Sequence, residues 1–274
     1  ESNNAEQTAA LLKEAGPNAP VLAINLHCFA LTRAVQPILD GRHPMVVFSL
    51  PASGHDWLYA HRWQRRGFPV TLFPTSDLDE LEHALRLLRV IPRMRQARLL
   101  LFPPARGTER ARSPDEIRRR LGAEVVTVAE TTFDDLIQQA DPAAVEAEAT
   151  QWTSGARAIA GPEPEDIARA ARVSVALKEL VKREQADGLA IGTCMGWLPK
   201  GFPCLGFARL RDAGIPAACE GDMDSLLTML LFEFAFDRPG FQGNSTFDTS
   251  RNVVWTAHCT APLQLDGRNA APAP

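Results

Sequence analysis

Residues 214–262 read GIPAACEGDMDSLLTMLLFEFAFDRPGFQGNSTFDTSRNVVWTAHCTAP, and this stretch decides the fold. It begins with an apolar run, Ile215–Cys219, that predicts a β-strand. The segment Met223 to about Phe236 is apolar and long enough for a helix. A second β-type run, Asn252–Ala257, follows a loop rich in Gly, Pro and Asn. This order of strand, helix and strand is typical of an open α/β sheet.

Polar side chains follow both of these predicted strands. Glu220 comes directly after the first, and His258 comes directly after the second. Ligands of open α/β sheets bind beyond the carboxyl ends of the strands, and a carboxylate with an imidazole suits a divalent cation. Asp222 is better explained as the N-cap of the helix. Glu220 has no such structural role, and a carboxylate after an apolar strand needs a partner or a metal.

The loop between these elements, Asp237–Ser250, carries two further oxygen donors. Asn244 and Asp248 lie in it, and both are ordinary turn residues when no function is assumed. Either of them could complete a site with Glu220 and His258. The residues alone leave that choice open.

The rest of the chain repeats the alternation of strand and helix. Further apolar runs predict strands at Val21–Leu26, Met45–Leu50, Val70–Phe73, Ala97–Phe102, Glu124–Val128 and Leu189–Cys194. Helical segments separate them, which predicts two consecutive open, mainly parallel α/β units of the doubly wound type. We expect an N-terminal unit over 1–95 that is incomplete, a central unit over 96–265 that carries the site, and a tail over 266–274.

Composition excludes several classes of protein. The chain has 274 residues and a formal net charge of −4, which argues against nucleic-acid binding. No segment is long and apolar enough to predict a membrane span, and no signal peptide is visible. The five cysteines form no CxxC motif, so we expect reduced thiols and a cytoplasmic protein. The sequence has neither a GxGxxG motif after a strand nor a Walker lysine motif, so no motif supports nucleotide binding.

The turn Thr193–Trp197 follows another predicted strand and offers two candidates for substrate binding. Trp197 could stack on a sugar ring or close a pocket, and Cys194 could line the same cleft. The structural alternative is a packed tryptophan in a loop rich in Gly and Pro. On that interpretation the cysteines are small buried hydrophobic residues.

Several blocks of this sequence together resemble one known family. They are TCMGWLPKGFPCLGFARLRDAGIP (193–216), CEGDMDSLLTML (219–230), PGFQGNSTFD (239–248) and AHC (257–259). In their order and spacing these blocks resemble the L-fucose/L-arabinose isomerase superfamily. The resemblance covers most of residues 97–265 and, more loosely, the first α/β unit.

The resemblance implies a sugar aldose–ketose isomerase, an intramolecular oxidoreductase of carbohydrate metabolism. Such enzymes use Mn²⁺ or a similar divalent cation that holds two neighbouring sugar oxygens. A carboxylate removes a proton from one carbon, a cis-enediol forms, and a second acidic group returns the proton to the adjacent carbon. The family also assembles into oligomers, so the resemblance implies a homo-oligomer.

Site residues carry over only where this sequence matches the family. Glu220 corresponds to the first metal-binding carboxylate and would act as both ligand and base, and His258 corresponds to a metal-binding histidine. The second catalytic carboxylate falls fourteen residues before His258 (258 − 244), on Asn244, which cannot act as a general base. Asp248 takes that role if the loop is shifted.

Two further expectations follow from the differences between this sequence and the family. The family's C-terminal domain would begin about where this chain stops, so we expect a fragment of a longer protein or a divergent relative. Because Asn244 replaces a carboxylate, the alternative function is a non-catalytic carbohydrate-binding or regulatory protein that retains the isomerase fold. The pair Glu220 and His258 favours the enzyme.

Overall fold

The computed structural model describes residues 2–27, 30–197 and 199–267. The protein is an α/β protein with mainly parallel sheets, as the sequence predicted. It divides into two compact units, Glu1–Arg93 and Met94–Pro274. In the part of the chain that is described, no helix combines the length and the apolar character needed to cross a membrane.

The first unit contains a three-stranded parallel sheet in the order β1-β2-β3. Its strands and helices are α1 (Ala5–Ala15), β1 (Val21–Asn25), α2 (Ala30–Ala34), α3 (Gln36–Asp40), β2 (Met45–Ser49), α4 (Asp56–Arg65), β3 (Val70–Pro74) and α5 (Glu80–Gln96), whose last residues belong to the second unit. A 3₁₀ turn, Pro51–Ser53, follows β2.

A buried carboxylate links the strand ends of the first unit. Asp56 accepts hydrogen bonds from Asn25 Nδ2 and Ser49 Oγ, both at 2.6 Å. Asn25 ends β1 and Ser49 ends β2, so one side chain at the start of α4 joins both. Because the partners are hydrogen-bond donors, the buried polar group is satisfied.

The second unit contains a four-stranded parallel sheet in the order β5-β4-β6-β7, and a separate antiparallel hairpin of β8 and β9. Its elements are β4 (Arg98–Phe102), α6 (Pro114–Leu121), β5 (Glu124–Thr127), α7 (Glu130–Gln139), α8 (Pro142–Gly155), α9 (Pro164–Glu184), β6 (Gly188–Ile191), α10 (Cys204–Asp212), β7 (Ala217–Cys219), α11 (Met223–Phe236), β8 (Asn244–Asp248) and β9 (Val253–Ala257). A 3₁₀ turn, Cys194–Trp197, connects β6 towards α10.

Local sequence explains where these helices start and which faces they bury. Asp222 caps α11 by accepting from Ser225 N at 3.0 Å, which confirms the N-cap interpretation. Helix α9 buries Val173, Leu177 and Leu180, spaced so that they share one face against the sheet. All four residues of β6 are buried, as expected for a central parallel strand.

The C-terminal part of the second unit differs from the sequence prediction. The stretch Asn244–Asp248 was predicted as a loop, but it forms strand β8. The strand that ends before His258 was expected to belong to the open sheet, but β9 pairs with β8 instead. Both strands of the hairpin are exposed, so their pairing does not depend on an apolar face that the sequence would reveal. Of the predicted tail, residues 268–274 lie outside the described residues.

Candidate functional site

A cleft of about 190 Å³ lies in the second unit, beyond the carboxyl ends of β6 and β7. Four residues that the sequence singled out line it: Cys194, Glu220, Asn244 and His258. The other lining residues are Met195, Phe202, Pro203, Cys204, Cys219 and Cys259. The polar side chains predicted from separate strand ends and from a loop therefore meet in one place.

Glu220 enters the cleft from a tight turn after β7. Its φ of +56° is the left-handed conformation, which residues with a side chain adopt infrequently, and Gly221 follows with φ +70°. Such conformations cluster at functional sites because the surrounding structure must hold them. The side chain of Glu220 is 53% exposed and forms an ion pair with Arg106, with Nη1 and Oε2 3.5 Å apart.

Backbone contacts between three strand ends hold this turn in place. Arg106 N, after β4, donates to Gly221 O at 2.8 Å, and Met223 N donates back to Arg106 O at 3.1 Å. A Cβ atom on Gly192 or Gly221 would lie 2.2 or 2.3 Å from Pro104 O. Only glycine allows these backbones to approach so closely.

The β8–β9 hairpin brings Asn244 and His258 to the same cleft. Asn244 pairs with Ala257, so it stands one residue across the ladder from His258. The Nδ1 atom of His258 is 2.9 Å from Thr260 Oγ1. Because this contact occupies Nδ1, Nε2 is the ring nitrogen that remains available to a ligand.

A buried arginine anchors both ends of the hairpin to the parallel sheet. Arg211 on α10 is 1% exposed and donates to the carbonyl oxygens of Ala217 and Thr260, with distances of 2.6 to 2.9 Å. It also donates to Gln242 Oε1 at 3.0 Å. Gln242 in turn accepts from Cys219 N at 2.9 Å and donates to Cys219 O. Arg211 and Gln242 together thus complete the open edge of β7 and fix the chain on either side of the hairpin.

Burial and the neighbouring charges set the protonation of His258 and Arg211. Burial, together with the positive charge of Arg211, lowers the pKa of His258, and the negative charge of Glu220 opposes this. The imidazole is therefore neutral at pH 7, which is the form that binds metals. Burial lowers the pKa of Arg211 to about 10, and interaction with Cys219 and Cys259 acts in the opposite direction.

Four thiols line the cleft in two close pairs. Cys194 and Cys219 have their sulfur atoms 3.3 Å apart, and Cys204 and Cys259 are also 3.3 Å apart. The hydrogen bond from Cys219, with backbone hydrogen bonds from Glu220 and Met195, lowers the pKa of Cys194 to about 6. The same contact raises the pKa of Cys219, and burial raises that of Cys204 to about 12.

Two of the predicted site residues lie elsewhere. Asp248 is at the far end of β8, where its carboxylate accepts from Ser250 N at 3.0 Å and from Ser250 Oγ at 2.6 Å. It is therefore the turn residue of the structural interpretation and does not line the cleft with Glu220. Trp197 is 0% exposed and stacks on Phe133 with ring centroids 4.7 Å apart. The expected sugar contact of Trp197 is wrong, because a fully buried ring offers no face to a ligand.

No protein-family model matches this chain, and no curated protein matches it at a significant level. Within residues 2–27, 30–197 and 199–267, no group of three or more His, Cys, Asp or Glu side chains is arranged to hold a metal ion.

Sequence reasoning missed several residues that shape the cleft. Arg106 comes after the predicted strand Ala97–Phe102 but does not follow it directly, so the rule that selected Glu220 does not select it. Arg211 and Gln242 gave no signal either, because their partners are backbone groups far away in the chain. Cys204 and Cys259 were interpreted as buried hydrophobic residues, but Cys259 is exposed and paired with Cys204.

Proposed function

We propose that the second unit carries the site of a sugar aldose–ketose isomerase that works with Mn²⁺ or another divalent cation. The observation that carries the proposal is the convergence of Glu220, Asn244 and His258 on one cleft beyond the carboxyl ends of parallel strands. The resemblance to the L-fucose/L-arabinose isomerase superfamily suggests the reaction. A homo-oligomer belongs to the same proposal and rests on the resemblance alone.

The donor set suits such a cation in chemical type. A carboxylate, an amide oxygen and a neutral imidazole are ligands that Mn²⁺ accepts. Three protein ligands leave coordination positions for two sugar oxygens and water. When bound, the cation would stabilise negative charge on neighbouring sugar oxygens as a proton leaves carbon.

Within this proposal, Glu220 removes the proton from the sugar carbon. Its carboxylate is accessible and is held by the turn after β7. Arg106 forms an ion pair with this carboxylate and so helps to orient it. His258 is the second ligand, and the contact between its Nδ1 atom and Thr260 fixes the ring.

The composition of the site also favours a second candidate function. Asn244 stands where the family has a carboxylate, and Asp248 lies outside the cleft. An amide cannot return a proton to a sugar carbon at neutral pH. A carbohydrate-binding or regulatory protein that keeps the fold and loses the reaction is therefore the alternative.

Deuterium exchange distinguishes the two functions. We expect the protein with added Mn²⁺ to exchange the proton on the carbon next to the carbonyl, when a panel of aldoses and ketoses is incubated in D₂O and followed by NMR. Chelation of the metal should stop the exchange. If sugars bind but no sugar of the panel exchanges its proton, the result would support the binding protein and would refute the isomerase.

A second prediction concerns metal affinity. Asn244→Asp should strengthen Mn²⁺ binding about tenfold, or about 1.4 kcal/mol, because a carboxylate replaces a neutral donor at the cation. Isothermal titration calorimetry measures the change. The matched control is Ser245→Asp, which adds the same charge to the next residue of β8, on the opposite face of the hairpin. Equal effects of both variants would mean that general charge, and not coordination by residue 244, sets the affinity.

A further inference from the structure

Four of the chain's five cysteines come together in the cleft, although they are widely separated in sequence. Cys194 lies in the 3₁₀ turn after β6, and Cys219 ends β7. Cys204 begins α10, and Cys259 follows β9 by two residues. Cysteines that served only as small buried apolar residues would have no reason to cluster around one open cleft.

The four sulfur atoms are arranged in two pairs with the same separation. The distance is 3.3 Å in both Cys194–Cys219 and Cys204–Cys259, and all four are free thiols. A disulfide bond is about 2.05 Å long, so each pair needs to close by only about 1.2 Å. Each partner of a pair is supplied by a different element, and the pairs span 25 and 55 residues.

We propose that this cleft is a redox-active dithiol site in which Cys194 pairs with Cys219 and Cys204 pairs with Cys259 to form two reversible disulfides. The oxidant is a peroxide or a low-molecular-weight disulfide. With hydrogen peroxide, each pair loses two S–H bonds and gains one S–S bond. The two electrons cleave the O–O bond, and the protons leave in two molecules of water.

The two pairs differ in how an oxidant reaches them. Cys259 is exposed and Cys204 is partly buried, so this rim pair meets solvent directly. Cys194 and Cys219 are 3% and 4% exposed and are reached through the cleft that they line. An oxidant therefore meets one pair directly from solvent and the other only inside the cleft.

Each disulfide would fix the chain beside a residue that lines the cleft. Cys219 directly precedes Glu220, and Cys259 directly follows His258. Oxidation would tie β7 to the turn after β6 and the end of the hairpin to α10. The thiol site does not depend on the proposed isomerase reaction, because its formation requires neither sugar nor divalent cation.

Disulfide mapping tests this inference on the full chain. Folded protein is treated with increasing hydrogen peroxide, the remaining thiols are alkylated, and non-reduced peptides are identified by mass spectrometry. We expect four thiols to be lost as the bridges 204–259 and 194–219, and dithiothreitol to restore all four. The peptide that contains Cys28, which is outside the described residues, is scored separately as an internal reference.

Matched single substitutions give the control. Cys219→Ser should lose the bridge to Cys194 and keep 204–259, and Cys259→Ser should do the reverse. Crossed pairing, irreversible oxidation of single cysteines, or survival of the four thiols at peroxide concentrations that oxidise Cys28 would each overturn the proposal. If a variant is unfolded under the assay conditions, disulfide mapping of the wild-type protein is by itself the test of the proposal.

Discussion

Glu220→Gln is expected to slow metal-dependent proton exchange on the sugar by at least about 100-fold. The substitution keeps the size of the side chain and removes its basicity, so the step that needs a proton acceptor is lost. It also removes the ion pair with Arg106. Because that pair is about half exposed, its loss should cost the fold no more than about 1 kcal/mol. Deuterium incorporation followed by NMR at saturating Mn²⁺ measures the rate.

Asp248→Asn is the matched control for this prediction. It makes the same carboxylate-to-amide change on a residue of the same unit that the sequence offered as a catalytic acid. Asp248 accepts hydrogen bonds from Ser250 at the turn of the hairpin and does not line the cleft. We therefore expect an unchanged exchange rate. A loss of exchange in Asp248→Asn, with activity retained in Glu220→Gln, would reverse the assignment of the base.

Trp197→Ala is expected to lower the free energy of unfolding by about 3–5 kcal/mol. Trp197 is 0% exposed and packs face to face on Phe133, and the ring of Phe102 meets it edge-on with centroids 5.5 Å apart. Truncation would leave a large cavity between β4, α7 and the turn after β6. Urea denaturation followed by circular dichroism measures the loss.

A neighbour in the same turn provides the control for this substitution. Met195 is 70% exposed, so Met195→Ala should change the unfolding free energy by no more than about 0.5 kcal/mol. A small effect of Trp197→Ala on stability, combined with weaker sugar binding, would restore the original interpretation of Trp197 as a substrate contact.

The sequence was sufficient for the elements that bury continuous apolar runs. The runs Val21–Leu26, Met45–Leu50 and Leu189–Cys194 each overlap an observed strand, because strands of a parallel sheet are rich in apolar residues along their length. The boundary expected near residue 95 compares with a division between Arg93 and Met94. Strand β9 was predicted as Asn252–Ala257, but strand β8 and its pairing with β9 were missed because both strands are exposed and carry no apolar alternation.

The candidate site contains some of the residues that the sequence selected, while other selected residues lie elsewhere. Glu220 and His258 could be selected from sequence, since each follows an apolar strand directly and side chains at such positions point to ligands. Trp197 was selected from a turn after a predicted strand, and Asp248 as an oxygen donor of the loop before His258; the structure places them in the core and in a turn. Local sequence does not report whether a polar or aromatic group after a strand faces the cleft or turns away from it.

What the sequence determined by itself is the α/β class and the chemistry available at the strand ends, because both follow from local hydrophobic pattern and residue type. Only the tertiary structure decided which of these groups meet. Buried Arg211 joins the hairpin to β7 through backbone carbonyl oxygens and Gln242, and thereby brings Asn244 and His258 to Glu220. The two thiol pairs depend on the same long-range packing, which no local pattern encodes.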